Sequence, residues 1–470
     1  MIARPANMAN IPSVAIHTHG CKLNQADSSQ LARQFLAAGY RLVDSPADAD
    51  VFVLNTCTIT ATADAKARQA LRAARRKNPD AFIVATGCYS QRAAQELNQL
   101  DAVSLVVQNT EKDSLVSLIA KVSEVSHVSH VSAVTGISGP EHRLSSHGTN
   151  TVGQTAHISN IPAKRTSVSR NIGRLRAMIK IQEGCDQVCA YCIVPKVRGR
   201  ERSIPLDTLV EQVNRHVAEG GKEVVLTGTQ LGTYGFDLPG TDLTSLLKRL
   251  LIETQVSRIR VSSLQAQEIT PELLDLWQEQ RLCPHFHVPL QSGSDSILQA
   301  MRRRYDTAKF DRTARLIRQT VPDAAITTDI IVGFPGEGEA EFRQSLRFAN
   351  SAGFSDMHVF PYSTRPGTSA AYLENLVSKP IKDERMNEML AMSRRNFLAF
   401  REQQSGEIRP VLWQSSRKRG GETWWSGLTD NYLQVSARSD QSLRNTITLA
   451  RLHEMDGDLV NAEVIAPGLT

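Results

Sequence analysis

Three cysteines fall close together in the run Glu183-Gly184-Cys185-Asp186-Gln187-Val188-Cys189-Ala190-Tyr191-Cys192. Thiolates spaced this way can wrap three corners of an iron–sulfur cube and leave one iron without a protein ligand. An open iron of that kind can bind the amino and carboxylate groups of S-adenosylmethionine. An electron passed through it can break the sulfonium carbon–sulfur bond and release a deoxyadenosyl radical. A structural zinc site is the competing reading. Zinc sites close with four ligands, and no fourth Cys or His lies nearby in the sequence.

Three further cysteines are far apart in the chain but alike in their setting. Cys21 ends Ala15-Ile16-His17-Thr18-His19-Gly20-Cys21, Cys57 ends Val53-Leu54-Asn55-Thr56-Cys57, and Cys88 ends Ala85-Thr86-Gly87-Cys88. Each follows an apolar run that reads as a strand. In a parallel sheet the C-terminal strand ends share one edge, where ligands bind. Three remote thiols can therefore meet there and hold a second cluster, again with one iron open for an added sulfur atom. Chance burial is the alternative, since free Cys is often a small core residue. Cys283 stands alone. An odd total of seven, without a secretory context, argues against a disulfide framework.

These cysteines need elements to position them. Over 1–125, apolar runs at 14–17, 51–54 and 82–85 read as buried parallel strands, with helical stretches at 27–38 and 61–77 between them. The alternation predicts a doubly wound parallel-sheet domain. Over 126–170 the composition turns to Ser, Val, His, Thr and Gly, and no helical period survives. That stretch reads as a flexible linker or insertion. Its histidines (His127, His130, His142, His147 and His157) read as solvent-exposed rather than metal-bound.

From Leu175 onward, strand signals recur at 175–182, 223–227, 259–263, 285–291, 325–333 and 356–361. Helical patterns separate them; Leu206, Leu209, Val210, Val213 and Val217 share one face, and Gly220-Gly221 supplies the stop. Six such units over 171–405 predict a partial (β/α)6 barrel with its site at the C-terminal strand ends. Short strands at 411–414, 431–436 and 446–451 predict a small β-barrel over 406–470. The expected fold class is α/β, with this β-barrel as its tail.

C-x3-C-x2-C after a strand resembles the signature of the radical-SAM superfamily, and later strand ends agree with it in order. They are Leu226-Thr227-Gly228-Thr229, Ser262-Ser263, Leu290-Gln291-Ser292-Gly293 and Ile331-Val332-Gly333-Phe334-Pro335-Gly336-Glu337. The resemblance implies SAM contacts at Thr227, Gly228, Ser262, Gln291 and Gly333, with Tyr191 against the adenine. With Cys21, Cys57 and Cys88 added, the layout resembles the methylthiotransferases, which carry an auxiliary [4Fe–4S] cluster beside the radical-SAM cluster. Thr18-His19-Gly20-Cys21-Lys22-Leu23-Asn24-Gln25 and Tyr362-Ser363-Thr364-Arg365-Pro366-Gly367-Thr368 look most like the branch acting on N6-threonylcarbamoyladenosine in tRNA. What this implies is a methylthio group added at carbon 2 of that adenosine. One SAM would methylate the held sulfur and a second would supply the radical. Related enzymes for isopentenyl-adenosine or a ribosomal-protein aspartate are alternatives, as is a non-catalytic iron–sulfur RNA-binding protein. A sulfur donor and an electron donor are also implied.

The tail resembles a TRAM domain, an RNA-binding β-barrel, at Gly427-Leu428-Thr429-Asp430-Asn431-Tyr432. Trp413 and Tyr432 would stack bases while Arg417, Lys418 and Arg419 meet phosphates. From Gly406 on there are seven Lys/Arg against eight Asp/Glu, so any attraction must be local. Arg198 and Arg202, just past the cysteine loop, are further candidates for substrate or SAM. Arg68, Arg72, Arg75 and Arg76 form a basic stripe that suits either RNA or solvent. For the chain of 470 residues as a whole, net charge is +6 and apolar content 41%. No apolar run approaches the roughly 18 residues of a membrane span, and the N-terminus lacks a signal-peptide pattern. A cytosolic protein is expected. Cys189→Ala removes one of three cluster ligands, so anaerobic deoxyadenosine formation from SAM should fall to background. Normal formation would remove the radical-SAM assignment.

Overall fold

In the computed structural model, residues 11–128, 166–167 and 175–466 are described. The first unit is a parallel sheet in the order Arg41–Leu42, Ser13–Thr18, Val51–Thr56, Phe82–Gly87, Leu105–Val107. Alternate side chains leave opposite faces. Ala15, Phe52, Leu54 and Ile83 pack with Ala67 and Leu71 of the helix Ala61–Lys77. Val14, Ile16, Val53 and Val84 pack with Leu31, Phe35 and Ile119 on the other face. Both faces are covered, which is why these strands read as unbroken apolar runs. The first helix, Lys22–Ala37, starts five residues before the expected 27. Cys21 is its extended cap residue, so the helix begins directly behind that thiol.

Two corrections concern 126–170. The helix Leu115–Val128 runs into it, and Thr166–Ser167 pairs antiparallel with Ser13–Thr18 at His17 and Thr18. The remainder, including His130, His142, His147 and His157, lies outside the described residues, as does the side chain of His127.

The barrel strands are Arg176–Lys180, Glu223–Thr227, Arg258–Val261, His285–His287, Ala325–Val332 and Asp356–Pro361. They form two parallel three-stranded sheets, joined by isolated pairings such as Ser263 with His287. The strand expected over 285–291 is shorter, because Pro289 has no amide hydrogen to donate to the ladder. Beyond it Gln291 takes a φ of 69° and rejoins the sheet at Ile330. One long apolar cluster fills the space between strands and outer helices, from Ile179 to Met392.

The tail closes as Ile408–Arg419, Glu422–Thr429, Gln434–Arg438, Leu459–Ala466, Ile447–Asp456. Five strands replace the three expected. Glu422–Thr429 and Leu459–Ala466 were missed, and the strand expected from 431 begins at Gln434 because Tyr432 has a φ of 76°. No helix among the described residues is long and apolar enough to cross a membrane.

A buried charge joins the tail to the N-terminal ends of the barrel strands. Glu223 is fully enclosed, 2.7 Å from Arg176 and 3.1 Å from Arg260, with Arg258 at 3.8 Å. Arg258 and Arg260 then donate to the carbonyls of Leu428 (3.0 Å) and Asp430 (2.9 Å). Burial would raise the Glu223 carboxyl, but Arg176, Arg260 and Arg258 hold it down to about 2. Glu223→Gln strands three cations and should cost about 3–5 kcal/mol at neutral pH. Because the folded value lies below the unfolded 4.5, this stabilisation is present above 4.5 and lost as pH falls toward 2. Thermal melts of wild type and variant should therefore converge on acidification.

Candidate functional site

Register brings the N-terminal cysteines to one edge. Thr56 pairs with Gly87, so Cys57 and Cys88 leave adjacent strands side by side. His19 donates to the carbonyl of Asn55 at 2.8 Å, which carries Cys21 to the same edge. Gly20 allows the close approach. Its φ is +145°, and an added Cβ would stand 3.1 Å from Cys57 Cβ and 2.9 Å from Asn24 Cγ. Cys21 and Cys88 each head a helix, Lys22–Ala37 and Cys88–Arg92.

The second trio lies on the loop after the first barrel strand. Gly184 has a φ of +81°, and a Cβ there would sit 1.9 Å from the carbonyl oxygen of Arg200. Only glycine lets the loop cross so closely. Cys185 donates to Gly199 O (3.1 Å), Cys192 to Cys189 O (3.0 Å) and Ala190 to Met301 O (2.9 Å). Cys189 Sγ lies 3.4 Å from Arg303 Nη1.

Burial pushes the thiols up, Cys57 and Cys192 to about 12 and Cys185 to about 11. Within each trio the cysteines also raise one another, which places them in one electrostatic neighbourhood. Bare thiolates are therefore disfavoured, and a cation at each trio would restore them. Three converging thiols, with no fourth among them, suit a cubane with one open iron. Cys283 is elsewhere, buried, with its carbonyl bonded by Trp277 Nε1 at 2.9 Å.

Arg198 links the two trios, although sequence reasoning offered it to RNA or SAM. It is 5% exposed. Its Nε contacts Cys88 Sγ at 3.2 Å, and its other nitrogens reach Asp27 (2.7 Å), Glu183 (2.6 Å) and Asn24 (3.0 Å). A buried, fully engaged guanidinium is not a surface for nucleic acid. Asp27 also receives Lys112 at 2.9 Å and Lys180 at 2.8 Å. Burial would raise its carboxyl, yet Lys112, Arg198 and Lys180 hold it well below the usual range. A second clamp joins Arg365 to Asp64 and to the carbonyl of Thr58, next to Cys57.

The residues expected to meet SAM stand round the barrel mouth. Thr227 and Ser262 are buried. Gly228 is held against Gln182, whose Oε1 accepts from Thr229 N (3.0 Å) and Gln230 N (2.9 Å). Gly333 N donates to Glu337 at 2.7 Å, and Gln291 N to the carbonyl of Asp329 at 2.8 Å. Tyr191 packs against the cluster containing Phe334 and Tyr362 and keeps part of its surface.

The RNA candidates divide. Trp413 is 0% exposed and donates Nε1 to Thr448, so it is core and not a stacking face. Tyr432 stacks on His285 at 4.3 Å with Arg260 over its ring, closing the base of the barrel instead of facing outward. Arg417, Lys418 and Arg419 are exposed, and Trp424, half-buried, pairs opposite Arg417. Arg202 is 64% exposed, 3.7 Å from Glu183. In the basic stripe, Arg68 is tied to Glu96 and Tyr89, and Arg75 to nearby carbonyls.

Sequence reasoning missed the polar lumen. His287 and His358 flank Asp329 at 3.3 and 3.1 Å, and Lys22 reaches Ser262 at 3.5 Å. The signal was present: Thr327, Thr328 and Asp329 form a polar run in the middle of an otherwise apolar strand.

The partial β/α barrel with three cysteines at its C-terminal mouth is that of a radical-SAM enzyme; residues 179–349 match the Radical SAM superfamily. Residues 13–108 match the uncharacterized protein family UPF0004. The chain is 34% identical over 447 residues to Threonylcarbamoyladenosine tRNA methylthiotransferase MtaB of Bacillus subtilis, covering 94% of this chain and 93% of that one. The Aquifex aeolicus protein of the same name is 37% identical, covering 90% and 96%. The tRNA-2-methylthio-N(6)-dimethylallyladenosine synthase of Methylacidiphilum infernorum is 31% identical, covering 92% and 90%. The chain belongs to the radical-SAM methylthiotransferase family, enzymes that use S-adenosylmethionine and an iron–sulfur cluster. In fold it is similar to the radical S-adenosylmethionine methyltransferase TsrM of Kitasatospora setae, with a TM-score of 0.51 and 13% identity over 88% of this chain and 82% of that one.

Arg198→Met should uncouple the two cysteine regions. It removes one of the three cations on Asp27 and, among the described residues, the guanidinium on Cys88, a loss of about 3–5 kcal/mol for a broken buried pair. The melting temperature should drop and reconstituted iron should fall, with Arg198→Lys recovering part of both. Unchanged iron and melting would make the network dispensable.

Proposed function

We propose that the chain is a tRNA methylthiotransferase that places a methylthio group on carbon 2 of N6-threonylcarbamoyladenosine beside the anticodon. The observation that carries this reading is the single seam where both cysteine trios meet, with Arg198 of the barrel touching Cys88 of the sheet. One trio alone would serve many radical-SAM reactions. A second trio in the same seam suits a group that is held and then transferred.

In this reading Cys185, Cys189 and Cys192 hold the cluster that reduces S-adenosylmethionine, and Cys21, Cys57 and Cys88 hold an auxiliary [4Fe–4S] cluster. The first supplies the radical and the second presents the sulfur when each is bound. Tyr191, Thr227, Gly228, Ser262, Gln291 and Gly333 line the place for SAM between them. The arginines at the seam keep neighbouring charge matched and water out. Radical chemistry suits the target, because no side chain is basic enough to take the proton from an unactivated aromatic C–H.

Residues 1–125 then form the sulfur-holding domain, 171–405 the radical domain and 406–470 a TRAM-like RNA grip. Arg417, Lys418, Arg419 and Trp424 are its outward face; electrostatic help from elsewhere is needed for tRNA. A sulfur donor and a reductant complete the reaction, which fits a cytoplasmic setting. The branch follows the relatives named for threonylcarbamoyladenosine. The dimethylallyladenosine synthases, at 31% identity, supply the second reading. Nucleoside mass spectrometry of tRNA from cells lacking the protein separates them: loss of methylthio-threonylcarbamoyladenosine is expected, and loss of the dimethylallyl product would transfer the assignment.

Cys57→Ala separates the roles of the trios. After anaerobic reconstitution, bound iron should fall by about four per chain, as expected for one Cys-ligated cube. Deoxyadenosine should still form, and no methylthio product should appear. Full iron with normal methylthiolation would return Cys57 to the core.

A further inference from the structure

Charge crowds the barrel from mouth to base, and nearly all of it is matched. Asp27 faces Lys112, Lys180 and Arg198, and Glu183 shares the last two. Asp329 is held between His287 and His358. Arg176 and Arg260 are taken by Glu223. Arg303 turns to Cys189 and the Tyr305 hydroxyl, on the side of the radical loop.

Lys22 is the exception. Its one hydrogen bond among the described residues runs from Nζ to Ser262 Oγ at 3.5 Å, and no carboxylate there lies within ion-pair distance. Protein nonetheless surrounds it. The charged and titratable groups facing it are Tyr432, Arg176, Arg260 and Asp329, with His285 and His358. Most of them carry or can take positive charge, and the one nearby carboxylate is already shared by two imidazoles. The side chain keeps part of its surface, so an arriving ligand can reach it. A half-buried ammonium set among other cations without an anion of its own is costly. Its complement is an anion that arrives with the substrate.

We propose that Lys22 binds the carboxylate that the threonylcarbamoyl group carries on N6 of the substrate adenosine. The inference rests on the function proposed above and names what selects that substrate. Lys22 directly follows Cys21, so its backbone is anchored at the sulfur-holding trio while its ammonium reaches Ser262 in the barrel lumen. In the purine, only N1 separates carbon 2 from the carbon that bears the substituent, so the reacting carbon and the anchored group share one edge. Ser262, already in line with Nζ, offers a hydroxyl as a second donor. A dimethylallyl group brings no charge and would leave Lys22 unmatched, which is how one half-buried cation discriminates against it.

The test compares holoenzyme on two anticodon stem-loops, one with the natural carboxylate and one with the corresponding carboxamide. Both binding affinity and kcat/KM are measured for wild type, Lys22→Met and Lys22→Arg, with iron content counted for each. Wild type should prefer the acid by about tenfold or more, the range for a hydrogen bond between charged groups. Lys22→Met should lose that preference at full iron content, and Lys22→Arg should keep part of it. A Lys22→Met enzyme that retains the wild-type acid-to-amide ratio overturns the inference. An equal loss on both RNAs also overturns it, since that places Lys22 on SAM or on the cluster. If wild type makes no methylthio product on the acid RNA, the function reading fails instead, and the two failures are told apart.

Discussion

The contact between Arg198 and Asp27 is the interaction on which the rest of the site depends. One partner ends the short helix Val194–Arg198 that follows Cys192, the other lies on the helix headed by Cys21. They lie 171 residues apart in sequence and 2.7 Å apart in space. A pair this deeply buried repays its desolvation only when every remaining polar atom is bonded. Here the guanidinium is fully used, on Asp27, Glu183, Asn24 and the Cys88 sulfur. The network therefore stabilises little in isolation but fixes one relative placement of sheet and barrel. Arg365 on Asp64 repeats the device at the other side of the seam, where the neighbouring carbonyl of Thr58 leads back to Cys57. Two clamps on two sides prevent rotation, which a single pair would permit.

That rigidity matters because each trio comes from elements that know nothing of the other. Sheet register sets Cys57 against Cys88, and Gly20 brings in Cys21. Gly184 lets the loop of Cys185, Cys189 and Cys192 fold back across Arg200. Neither local arrangement specifies a distance between the trios. The arginine does so by touching a sulfur of one domain while standing six residues after Cys192 of the other. The lumen follows the same economy at the far end. Glu223 collects Arg176, Arg258 and Arg260, and the latter two pass their remaining hydrogens to backbone carbonyls of the small barrel. Charge thus closes the base of the barrel, with Tyr432 as its plug, and leaves the mouth as the way in.

Local features were legible in the sequence, and relations between distant residues were not. Strands buried on both faces, such as Val51–Thr56, announce themselves as apolar runs, and helix Ala61–Lys77 shows its period directly. The cysteine spacing speaks for itself because ligation is short-range. Arg198 was misread because a lone arginine after a loop looks the same whether it meets RNA or a buried aspartate. Trp413 was misread because an aromatic in a β-barrel has two faces to choose from, and strand phase alone decided for the core. Tyr432 in a left-handed turn, and the stop imposed on His285–His287 by Pro289, are decided by backbone geometry that composition does not record.

The polar lumen has a physical consequence for specificity. A barrel filled with apolar side chains would accept a dimethylallyl substituent by burial alone and discriminate weakly, since added methylenes are worth only about 1–3 kcal/mol. A lumen lined by Lys22, Ser262, His287, Asp329 and His358 works differently. Its groups are costly to desolvate and give that cost back only to a ligand with matching charge and hydrogen bonds. Rejection of the uncharged analogue then comes from what is left unpaired, which is the stronger form of selection. In the function proposed above, the seam that brings the two cysteine trios together opens on this lumen, whose charges select which base can enter.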